Sequence, residues 1–539
     1  MAHQRPWWEE AIFYHLYLRS FADSNGDGLG DIPGLIAHLD HLRGAPDSLG
    51  VDAVWLSPIF PSPDVDFGYD VTDYRSLDPR FGSLADFDHL IAEAHRRGLR
   101  IVLDLVLNHT SDQHPWFLES RSSPHNPRRD WYYWREPRPG RRPPNNWQAV
   151  FGGRAWEWDE KTQQFYYHMF LRQQPDLNLG NPAVRHELID VARFWLDRGV
   201  DGFRLDAFNV WGKHPDLPDN PLRLGIRPYD GQVHRYDMDH PTMEAALTEL
   251  RGLLDEYGDR MAVGETIERT SPEKAALHLG EGKLHLAFNF AFGHAGWNPQ
   301  AFLRAVERWE AALGPRRWPV YVLSDHDGAG RHVARYGRRQ PDAIAKVAAA
   351  MLLTLRGTPF IYYGDEIALP PTPIGPGQIL DPVSKHYWPF YNRDPGRAPL
   401  PWNASPHAGF TSGRPWLPLH PGFTSRNVEA QRRDPDSVFS FYRKLIALRA
   451  ATPALRRGSF VNLTPRPRGG WAYLREHEGE RALVALNFYG RPLSLRLDPP
   501  LPSAGWDLRL TSTPRRPARI DSGNVVLAPY EAAIFVEKP

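Results

Sequence analysis

Three acidic residues in distant parts of the chain each follow a short run of apolar residues. Asp206 lies in GVDGFRLDAFNVW, Glu265 in AVGETI and Asp327 in VLSDHD. Arg204 precedes Asp206 by two residues, so both side chains of an extended strand would point to the same face. Such a pair is either a structural ion pair or a catalytic carboxylate oriented by a guanidinium. Carboxylates in different protonation states carry out nucleophilic and acid–base chemistry, provided that they meet in space.

The apolar runs alternate with helical segments. Ser83–Arg97 is predicted to be a helix, because Ser83 and Asp86 fit a capping box and Gly98 would end the helix. Strands that alternate with helices predict a parallel sheet, and the fold class is therefore α/β. Eight strands are the number that a (β/α)8 TIM barrel requires. The predicted strands are Ala11–Leu18, Val51–Leu56, Arg100–Leu105, the strand beginning at Gly199, Arg260–Val263, Leu284–Phe290, Pro319–Leu323 and Pro359–Tyr363.

The strands of such a barrel all end at one mouth. Asp206 follows the fourth predicted strand, Glu265 the fifth and Asp327 the seventh, so the three acids would converge there. His109 and His326 follow the third and seventh strands and would add two imidazoles. One ionised carboxylate, one protonated carboxyl group and polar groups that bind hydroxyls are the equipment for glycoside hydrolysis.

Two regions fall outside the predicted barrel. Residues 111–181 are rich in Trp, Tyr, Pro and Arg, and predict either a small inserted domain that walls the mouth or an irregular surface excursion. Residues 456–539 contain short alternating runs and predict an antiparallel β-sandwich domain. The predicted organisation is a barrel over 1–110, an inserted domain over 111–181, the rest of the barrel over 182–455 and the C-terminal domain over 456–539.

Composition argues against several classes of protein. The 539 residues contain no cysteine, which excludes disulfides and thiol chemistry. Lys and Arg together number 64, as do Asp and Glu, and no long basic run occurs, which argues against nucleic-acid binding. The chain contains neither an apolar run of about 18 residues nor an N-terminal apolar segment. We therefore expect a cytoplasmic monomer or homodimer that does not bind membranes.

An ordered set of motifs extends along nearly the whole chain. They are GVDAVWLSP, DFGYDVTDY, DLVLNHTSD, QQPDLN, GFRLDAFN, VGET, HD at 326–327, and GTPFIYYGDE. This set resembles the α-amylase-type glycoside hydrolase family, in its branch of α-glucosidases and oligo-1,6-glucosidases. The resemblance implies a retaining mechanism in which Asp206 is the nucleophile, Glu265 the general acid/base, and Asp327 a third carboxylate that binds sugar hydroxyls.

The same resemblance implies a set of residues that bind small oligosaccharide substrates. Asp66 and one arginine of NRDPGRAPLPW would close the far end of the pocket and impose exo action, with Arg393 preferred over Arg397. Ala207 directly follows the implied nucleophile, where the resemblance implies that Ala goes with α-1,4 preference and Val with α-1,6 preference. The expected substrate-binding residues are Asp66, Tyr69, His109, Arg204, Ala207, His326, Arg393 and Arg397.

The protonation states follow from the neighbouring residues in the chain. Arg204 is expected to keep the pKa of Asp206 low, as a nucleophile requires. Glu265 has no adjacent cation in the sequence, so burial and nearby carboxylates should raise its pKa. Asp325 stands where the family usually has Asn. This fourth carboxylate would either raise the pKa values of its neighbours or point away from them.

Residues 23–31 read DSNGDGLGD, directly after the first predicted strand. Oxygen side chains at alternate positions, with glycines for tight turns, are typical either of a calcium loop or of a cluster of Asx turns. The family resemblance favours a structural Ca²⁺, or sometimes Mg²⁺. The expected ligands are the side chains of Asp23, Asn25, Asp27 and Asp31 and the carbonyl of Leu29.

Three functions remain open on the sequence. The first is an exo-acting α-glucosidase that hydrolyses short α-glucosides, with maltose preferred to isomaltose. The second is a transglucosylating or isomerising relative, in which an acceptor sugar takes the place of water. The third is a non-catalytic relative, similar to the ectodomains of amino-acid-transporter heavy chains. That third function requires a missing acid and a membrane anchor, whereas this chain has both acids and no long apolar run.

Overall fold

Eight parallel strands form the predicted barrel. The computed structural model describes residues 5–267, 270–327, 330–337, 340–514 and 517–538. Seven parallel pairings join the strands, and the first strand lies between the second and the eighth. The sixth and seventh strands lie at the two ends of this row, so the barrel is nearly closed. In chain order the strands are Phe13–Leu16, Ala53–Leu56, Arg100–Leu105, Gly202–Leu205, Met261–Gly264, Leu286–Ala287, Val320–Val322 and Thr358–Tyr362.

The sixth strand is shorter than the predicted Leu284–Phe290. Only Leu286–Ala287 is strand, because the chain turns into the helix Phe290–Gly293 directly afterwards. Asn289 caps that helix by accepting a hydrogen bond from the Phe292 backbone N–H. Asparagine is preferred at the N-cap of a helix, so the strand ends where this helix begins.

The barrel strands are apolar on both faces. Phe13, Trp55 and Phe360 fill the barrel interior, and the Phe13 and Phe360 rings stack with their centroids 4.4 Å apart. Tyr14 and Val54 on the same strands belong to the core between the strands and the surrounding helices. Burial on both faces is typical of parallel sheets and explains the nearly continuous apolar runs in the sequence.

The helix after the second strand confirms the predicted capping box. It covers Leu84–Arg96, with Ser83 Oγ accepting from the Asp86 N–H and Asp86 accepting from the Ser83 N–H. Gly98 follows with a φ of 69°, a left-handed conformation that glycine adopts without strain.

The α-helices of the described residues are Trp7–Glu10, Ile32–Ala37, Leu39–Leu42, Leu84–Arg96, Pro115–Ser120, Pro182–Asp197, Glu244–Glu256, Pro272–Leu277, Phe290–Gly293, Pro299–Leu313, His332–Tyr336, Pro341–Thr354, Pro382–Tyr387, Asp394–Arg397, Val428–Arg433, Val438–Ala451 and Pro453–Arg457.

A small antiparallel sheet lies in the segment between the third and fourth barrel strands. Its strands, in spatial order, are Trp134–Arg135, Gln164–Tyr167 and Trp156–Asp159. Trp147, Trp156 and Tyr167 form an aromatic core that also contains Ala207 and Val210, which follow the fourth barrel strand. This contact fixes the segment beside the carboxyl ends of the barrel strands.

Two antiparallel sheets follow the barrel and share one apolar core. Leu474, Leu483 and Phe535 of the larger sheet belong to the same buried cluster as Val525 and Leu527 of the smaller one. In spatial order the larger sheet contains Ser459–Asn462, Gly470–His477, Glu480–Asn487, Ala532–Glu537 and Trp506–Thr511; the smaller contains Leu493–Arg496, Asn524–Leu527 and Arg519–Asp521. Among the described residues, no helix is both long and apolar enough to cross a membrane.

Candidate active site

The three acids that follow barrel strands lie on one cavity at the barrel mouth. Asp206 directly follows the fourth strand and Glu265 the fifth, and Asp327 lies in the loop after the seventh. The cavity has a volume of about 1270 Å³. Its lining includes eight of the predicted site residues: Asp66, Tyr69, His109, Asp206, Ala207, Glu265, Asp327 and Arg393. Arg204, His326 and Arg397 are buried and contact these lining residues.

Arg204 lies beneath the cavity and contacts three carboxylates. Its Nη1 donates to Asp104 Oδ1 at 2.6 Å and to Asp206 Oδ1 at 2.9 Å, while its Nη2 donates to Glu265 Oε2. Residues 104 and 204 are register partners on the paired third and fourth strands. A fully buried guanidinium requires such partners, because an unpaired charge in the core is costly.

The protonation of this cluster differs from the sequence-based expectation. Burial, together with the nearby Glu265 and Asp104 carboxylates, raises the pKa of Asp206 well above its usual value despite Arg204. The prediction of a low Asp206 pKa is therefore wrong, because one guanidinium is shared among three carboxylates. Burial also raises the pKa of Glu265, as expected, although Glu265 does contact a cation. Asp206 and Glu265 thus titrate together and retain a proton more readily than isolated acids.

Asp327 is held ionised by cations from the loop after the eighth strand. Its Oδ1 accepts from Arg393 Nη1 at 3.0 Å and from Arg397 Nη2 at 2.8 Å. Burial alone would raise the pKa of Asp327, but His326 and the two arginines hold it well below its usual value. Asp327, rather than Asp206, is therefore the acid that keeps its charge most firmly.

Arg393 joins Asp327 to the far end of the cavity. Its Nη2 donates to Asp66 Oδ1 at 2.8 Å and to Asp381 Oδ1 at 2.6 Å. Asp66 also accepts from Gln174 Nε2 at 3.2 Å. Arg397 instead donates through Nε to the His326 carbonyl at 2.8 Å. Both arginines contact Asp327, but of the two it is Arg393 that lines the cavity, as Asp66 also does.

The two predicted imidazoles lie on either side of Tyr69. His326 Nε2 is 2.8 Å from Tyr69 Oη, and the two rings stack with an interplanar angle of 4°. His109 Nε2 is 2.9 Å from the Tyr69 backbone carbonyl. Burial lowers the pKa of His109 to about 4 and that of His326 to about 3, so both rings are neutral at pH 7. Neutral imidazoles are suited to hydrogen bonding with sugar hydroxyls.

Ala207 turns the chain away from the fourth strand with a φ of 42°. Few residues other than glycine adopt this left-handed conformation, and for a β-branched residue it is strongly disfavoured. The Ala207 side chain is buried against the aromatic core of the inserted segment, which also supplies Val150 and Phe170 to the cavity wall. The turn therefore places Asp206 at the cavity surface and its neighbour at the wall.

A buried ion pair that sequence reasoning missed fastens the inserted segment to the barrel. Lys213 Nζ lies 2.6 Å from Asp176 Oδ2, and both side chains are completely buried. Lys213 also donates to Asn108 Oδ1 at 3.0 Å, and Asn108 Nδ2 donates to Asp176 at 2.9 Å. These residues join the loops after the third and fourth strands to the end of the inserted segment.

Three further site residues were not predicted: Asp104, Gln174 and Asp381. Asp104 had a signal in the sequence, since it is an acid inside the otherwise apolar strand Arg100–Leu105. Asp104 accepts from Trp55 Nε1 at 3.2 Å and from Tyr69 Oη at 2.9 Å, in addition to Arg204. Gln174 belongs to the QQPDLN motif but was given no role, and Asp381 lies outside the motifs.

Asp325 lines the cavity rather than pointing away from it. Its Oδ1 accepts from the Asp327 backbone N–H at 2.9 Å and from the Gly330 N–H at 3.2 Å. Burial, reinforced by the Asp327 and Glu265 carboxylates, raises the pKa of Asp325 to about 7. It is therefore an acid on the cavity, beside Asp66, Asp206, Glu265 and Asp327, that titrates near neutral pH.

The 23–31 loop is closed by its own hydrogen bonds. Asp23 Oδ1 accepts from the Asn25 and Gly26 N–H groups, Asn25 from the Asp27 N–H, and Asp27 from the Leu29 N–H. Asp31 caps the helix Ile32–Ala37. Within the described parts of the chain, no three His, Cys, Asp or Glu side chains converge as a metal cluster. The loop nevertheless supplies only oxygen donors, the set that a hard cation such as Ca²⁺ prefers.

Comparisons with known proteins agree with this arrangement. The family model described as alpha amylase, catalytic domain, matches residues 15–458. A probable alpha-glucosidase of Rhizobium meliloti is 43% identical, over 90% of this chain and 89% of that protein. An oligo-1,6-glucosidase of Parageobacillus thermoglucosidasius is 38% identical over 92% of each chain.

Solved structures superpose along almost the whole chain. The alpha-glucosyl transfer enzyme XgtA has a TM-score of 0.93 and 41% identity, over 99% of this chain and 100% of that one. The trehalulose synthase MutB of Pseudomonas mesoacidophila MX-45 has a TM-score of 0.89 and 36% identity with the same coverage. The chain thus has a barrel of this topology, acids after its fourth, fifth and seventh strands, and relatives that match it over most of its length. It belongs to the α-amylase family of glycoside hydrolases.

Proposed function

We propose that this protein is a retaining, exo-acting α-glucosidase that releases glucose from short α-glucosides. The observation that carries the proposal is the contact of Asp206 and Glu265 with the two Nη atoms of one guanidinium. Carboxyl groups that contact one guanidinium lie close together, which favours the spacing of retaining enzymes (about 5–5.5 Å) over the wider spacing of inverting enzymes (about 6.5–9.5 Å).

In this mechanism Asp206 and Glu265 act in opposite protonation states. Asp206, ionised and paired with Arg204, attacks the anomeric carbon, while protonated Glu265 gives its proton to the departing glycosidic oxygen. Glu265 then takes a proton from water, and the resulting hydroxide attacks the anomeric carbon and releases Asp206. The raised pKa values of both acids favour one proton retained between them, and the mechanism requires this proton on Glu265.

Asp327 is assigned to the sugar hydroxyls beside the reacting centre. Its charge is fixed by Arg393 and Arg397, so it can accept hydrogen bonds from the glucosyl ring without competing for the catalytic proton. Tyr69, His109 and His326 surround the same ring position with neutral polar groups.

Exo action follows from the closed end of the cavity. The Asp66–Arg393 ion pair is buried and blocks extension of a sugar chain past the glucosyl ring. The chain would therefore release terminal glucose only. The small Ala207 side chain beside the position of the leaving sugar supports α-1,4 over α-1,6 preference, by about 1–3 kcal/mol at most.

A second candidate function is glucosyl transfer by the same covalent intermediate. Two observations favour it: the similarity to an alpha-glucosyl transfer enzyme at a TM-score of 0.93, and a cavity of about 1270 Å³, which exceeds the usual range of about 300–1,000 Å³. An acceptor alcohol would then attack the intermediate in place of water. Analysis of the products from maltose and from sucrose distinguishes the two, because transfer yields new disaccharides or trisaccharides.

The mechanism is tested by Asp206→Asn and Glu265→Gln. Each is expected to lower kcat/KM on maltose by several orders of magnitude, equivalent to about 5 kcal/mol or more of transition-state stabilisation. Asp190→Asn, on the helix Pro182–Asp197 with a side chain 43% exposed, is the matched control and should retain full activity. Proton NMR of the first turnovers should detect α-glucose; initial release of β-glucose contradicts the retaining mechanism.

A further inference from the structure

Four arginine side chains line a small cavity at the amino end of the barrel, which we call the basic cavity. It has a volume of about 260 Å³, and its lining includes Arg5, Glu9, Arg316, Arg317, Trp318 and Arg356. These residues lie in the segments that lead into the first, seventh and eighth strands, which are neighbours in the sheet. Because the catalytic acids follow their strands, the basic cavity and the catalytic cavity lie at opposite ends of the barrel.

Two of the four arginines have carboxylate partners. Arg5 Nη1 lies 3.4 Å from Glu9 Oε2, which also lines the basic cavity. Arg356 Nη1 pairs with Glu310, whose side chain is 22% exposed. Arg356 is therefore only partly available to a ligand, whereas the exposed Arg5–Glu9 pair is weak and screened by solvent.

The other two arginines leave the basic cavity with an excess of positive charge. Among the described residues, no carboxylate lies within ion-pair distance of Arg316 or Arg317. Arg317 Nη1 donates instead to the Ala276 carbonyl, and Arg316 is exposed. Four guanidiniums thus face the two carboxylates of Glu9 and Glu310, an excess of two positive charges. Like charges held around one cavity repel each other, so an anion bound between them would stabilise the folded chain.

Trp318 fixes two of the guanidiniums. The Cζ atoms of Arg5 and Arg356 lie 5.2 Å and 4.7 Å from the centroid of the Trp318 ring, which is itself 5% exposed. A guanidinium that stacks on an aromatic ring keeps its N–H groups at the edge, where they can donate to a ligand. Trp318 Nε1 is also a buried donor without a hydrogen-bond partner in the described part of the chain. The wall of the basic cavity therefore holds donors in place without acceptors for all of them.

We propose that the basic cavity binds a phosphoryl oxyanion, either inorganic phosphate or the phosphate group of a small monoester. A doubly charged anion matches the excess of two positive charges, and the guanidinium fork matches the geometry of phosphate oxygens. The cavity is smaller than the usual range of about 300–1,000 Å³ for organic ligands, which favours a small anion. Since it lies at the end of the barrel opposite the catalytic acids, the bound anion stabilises the barrel and takes no part in cleaving the glycosidic bond.

The test measures phosphate binding at constant ionic strength. Calorimetry should find one phosphate per chain with a Kd of about 1 mM or lower. The Tm should rise with phosphate concentration relative to sodium chloride of the same ionic strength, because chloride supplies the same screening without the phosphoryl group. Glycerol 3-phosphate is the second ligand: tighter binding than inorganic phosphate identifies a monoester as the ligand, and weaker binding identifies the free ion. Equal Tm values in phosphate and chloride overturn the proposal.

Arg316→Gln removes one of the unpaired charges and, because the side chain is exposed, little packing. It should raise the Kd for phosphate by about 5-fold or more. Arg466→Gln is the matched control, since Arg466 is likewise exposed and has no ion pair among the described residues, but lies between the strands Ser459–Asn462 and Gly470–His477 of the C-terminal domain. It should keep the wild-type Kd. A Kd that Arg316→Gln leaves unchanged overturns the proposal.

Phosphate bound at the catalytic cavity gives a different result. Arg393 and Arg397 are cations at that site, and an anion held there would raise the KM for maltose. We expect phosphate at ten times its Kd to leave that KM unchanged. A KM that rises with phosphate, together with a Kd that Arg316→Gln does not alter, places the anion at the catalytic cavity and shows the proposal to be wrong.

Discussion

At the scale of single residues, the site depends on one cation shared by several acids. Arg204 contacts Asp104, Asp206 and Glu265, and a full set of ionised carboxylates there would carry two uncompensated charges. Retaining a proton relieves this repulsion, so the acid catalyst is prepared before substrate binds. The same reasoning gives every nearby carboxylate an influence on the pH dependence of the reaction.

Asp325→Asn tests that influence. Above about pH 7 ionised Asp325 disfavours a second charge on Glu265 and so raises the pKa of Glu265. Charged or titratable groups around Asp325 include Asp327, Arg335 and Tyr391. Neutral Asn should move the alkaline limb of the kcat/KM profile to lower pH, by about half a unit or more. The control Asp190→Asn should leave the limb in place, and an unmoved limb in Asp325→Asn would show that the two acids are uncoupled.

Ala207→Val tests the basis of linkage preference. Wild type should prefer maltose to isomaltose, and Val, by narrowing the cavity wall, should move the kcat/KM ratio toward isomaltose by about 10-fold or less. Because residue 207 has a left-handed backbone, the β-branched Val should also cost about 1–2 kcal/mol of stability. Thermal unfolding of the variant measures that cost separately from the ratio. An isomaltose-preferring wild type, or an unaltered ratio, contradicts this assignment.

At the scale of elements, the cavity depends on how firmly the inserted segment is joined to the barrel. The segment supplies Val150, Phe151 and Phe170 to the wall, yet its own sheet has only three short strands. Its position is fixed by the aromatic core around Trp147 and by the buried pair Lys213–Asp176. Both contacts involve the loop after the fourth strand, which also carries Asp206.

Lys213→Met should lower the free energy of unfolding by about 3–5 kcal/mol, because it leaves Asp176 charged and buried without its partner. KM should rise as the cavity wall loosens. Lys538→Met removes an ion pair whose side chains are 58% and 50% exposed, and should cost about 1 kcal/mol or less. Urea denaturation of both variants gives the comparison. Adding Asp176→Asn to Lys213→Met should recover part of the loss; equal effects of the two lysine substitutions would show that the Lys213–Asp176 pair does not hold the inserted segment to the barrel.

The 23–31 loop gives a second test at this scale. We propose that it binds Ca²⁺ or Mg²⁺ as a structural ion, so chelation should lower the Tm more than the rate per folded molecule. Asp27→Asn keeps the side-chain oxygen that accepts from the Leu29 N–H but removes the negative charge. It should therefore weaken the response of the Tm to added Ca²⁺. If chelation and Asp27→Asn both leave the Tm unchanged, the loop is only a set of Asx turns.

At the scale of the whole molecule, buried titratable groups determine the pH range of stability. Among the described residues, six buried histidines have lowered pKa values because burial disfavours their charged form: His15, His109, His114, His168, His278 and His326. For four of them the pKa is about 3 or 4. The unfolded chain takes up these protons near pH 6.5, so stability is lost as the pH falls below that value.

The buried imidazoles therefore favour a fall in Tm between pH 6.5 and 4, and the carboxyl groups with raised pKa values reduce that fall. Buried carboxyl groups act in the opposite direction, since burial raises the pKa values of Asp66 and Asp325 to about 6 and about 7 and also raises those of Asp206 and Glu265. Calorimetry across this range measures the slope. His168→Gln should make the slope shallower, whereas His186→Gln, with a side chain 79% exposed, should not change it. A slope that His168→Gln leaves unchanged would contradict the role of the buried imidazoles.

The sequence by itself determined the barrel and the meeting of its three acids. Strand positions follow from local apolar runs, and Asp206, Glu265 and Asp327 must meet because parallel strands end at one mouth. The Ser83 capping box was equally predictable, since its hydrogen bonds join residues three apart in the chain. Such features depend only on local pattern and on a general rule of topology.

The tertiary structure alone decided the charges and the shape of the cavity. The pKa of Asp206 could not be read from its neighbour Arg204, because that cation is shared with Asp104 and Glu265 from other strands. Lys213 and Asp176 are 37 residues apart and carry no shared pattern, yet they form a buried pair. Burial and the distance between remote segments set these interactions, and neither quantity is encoded in local spacing.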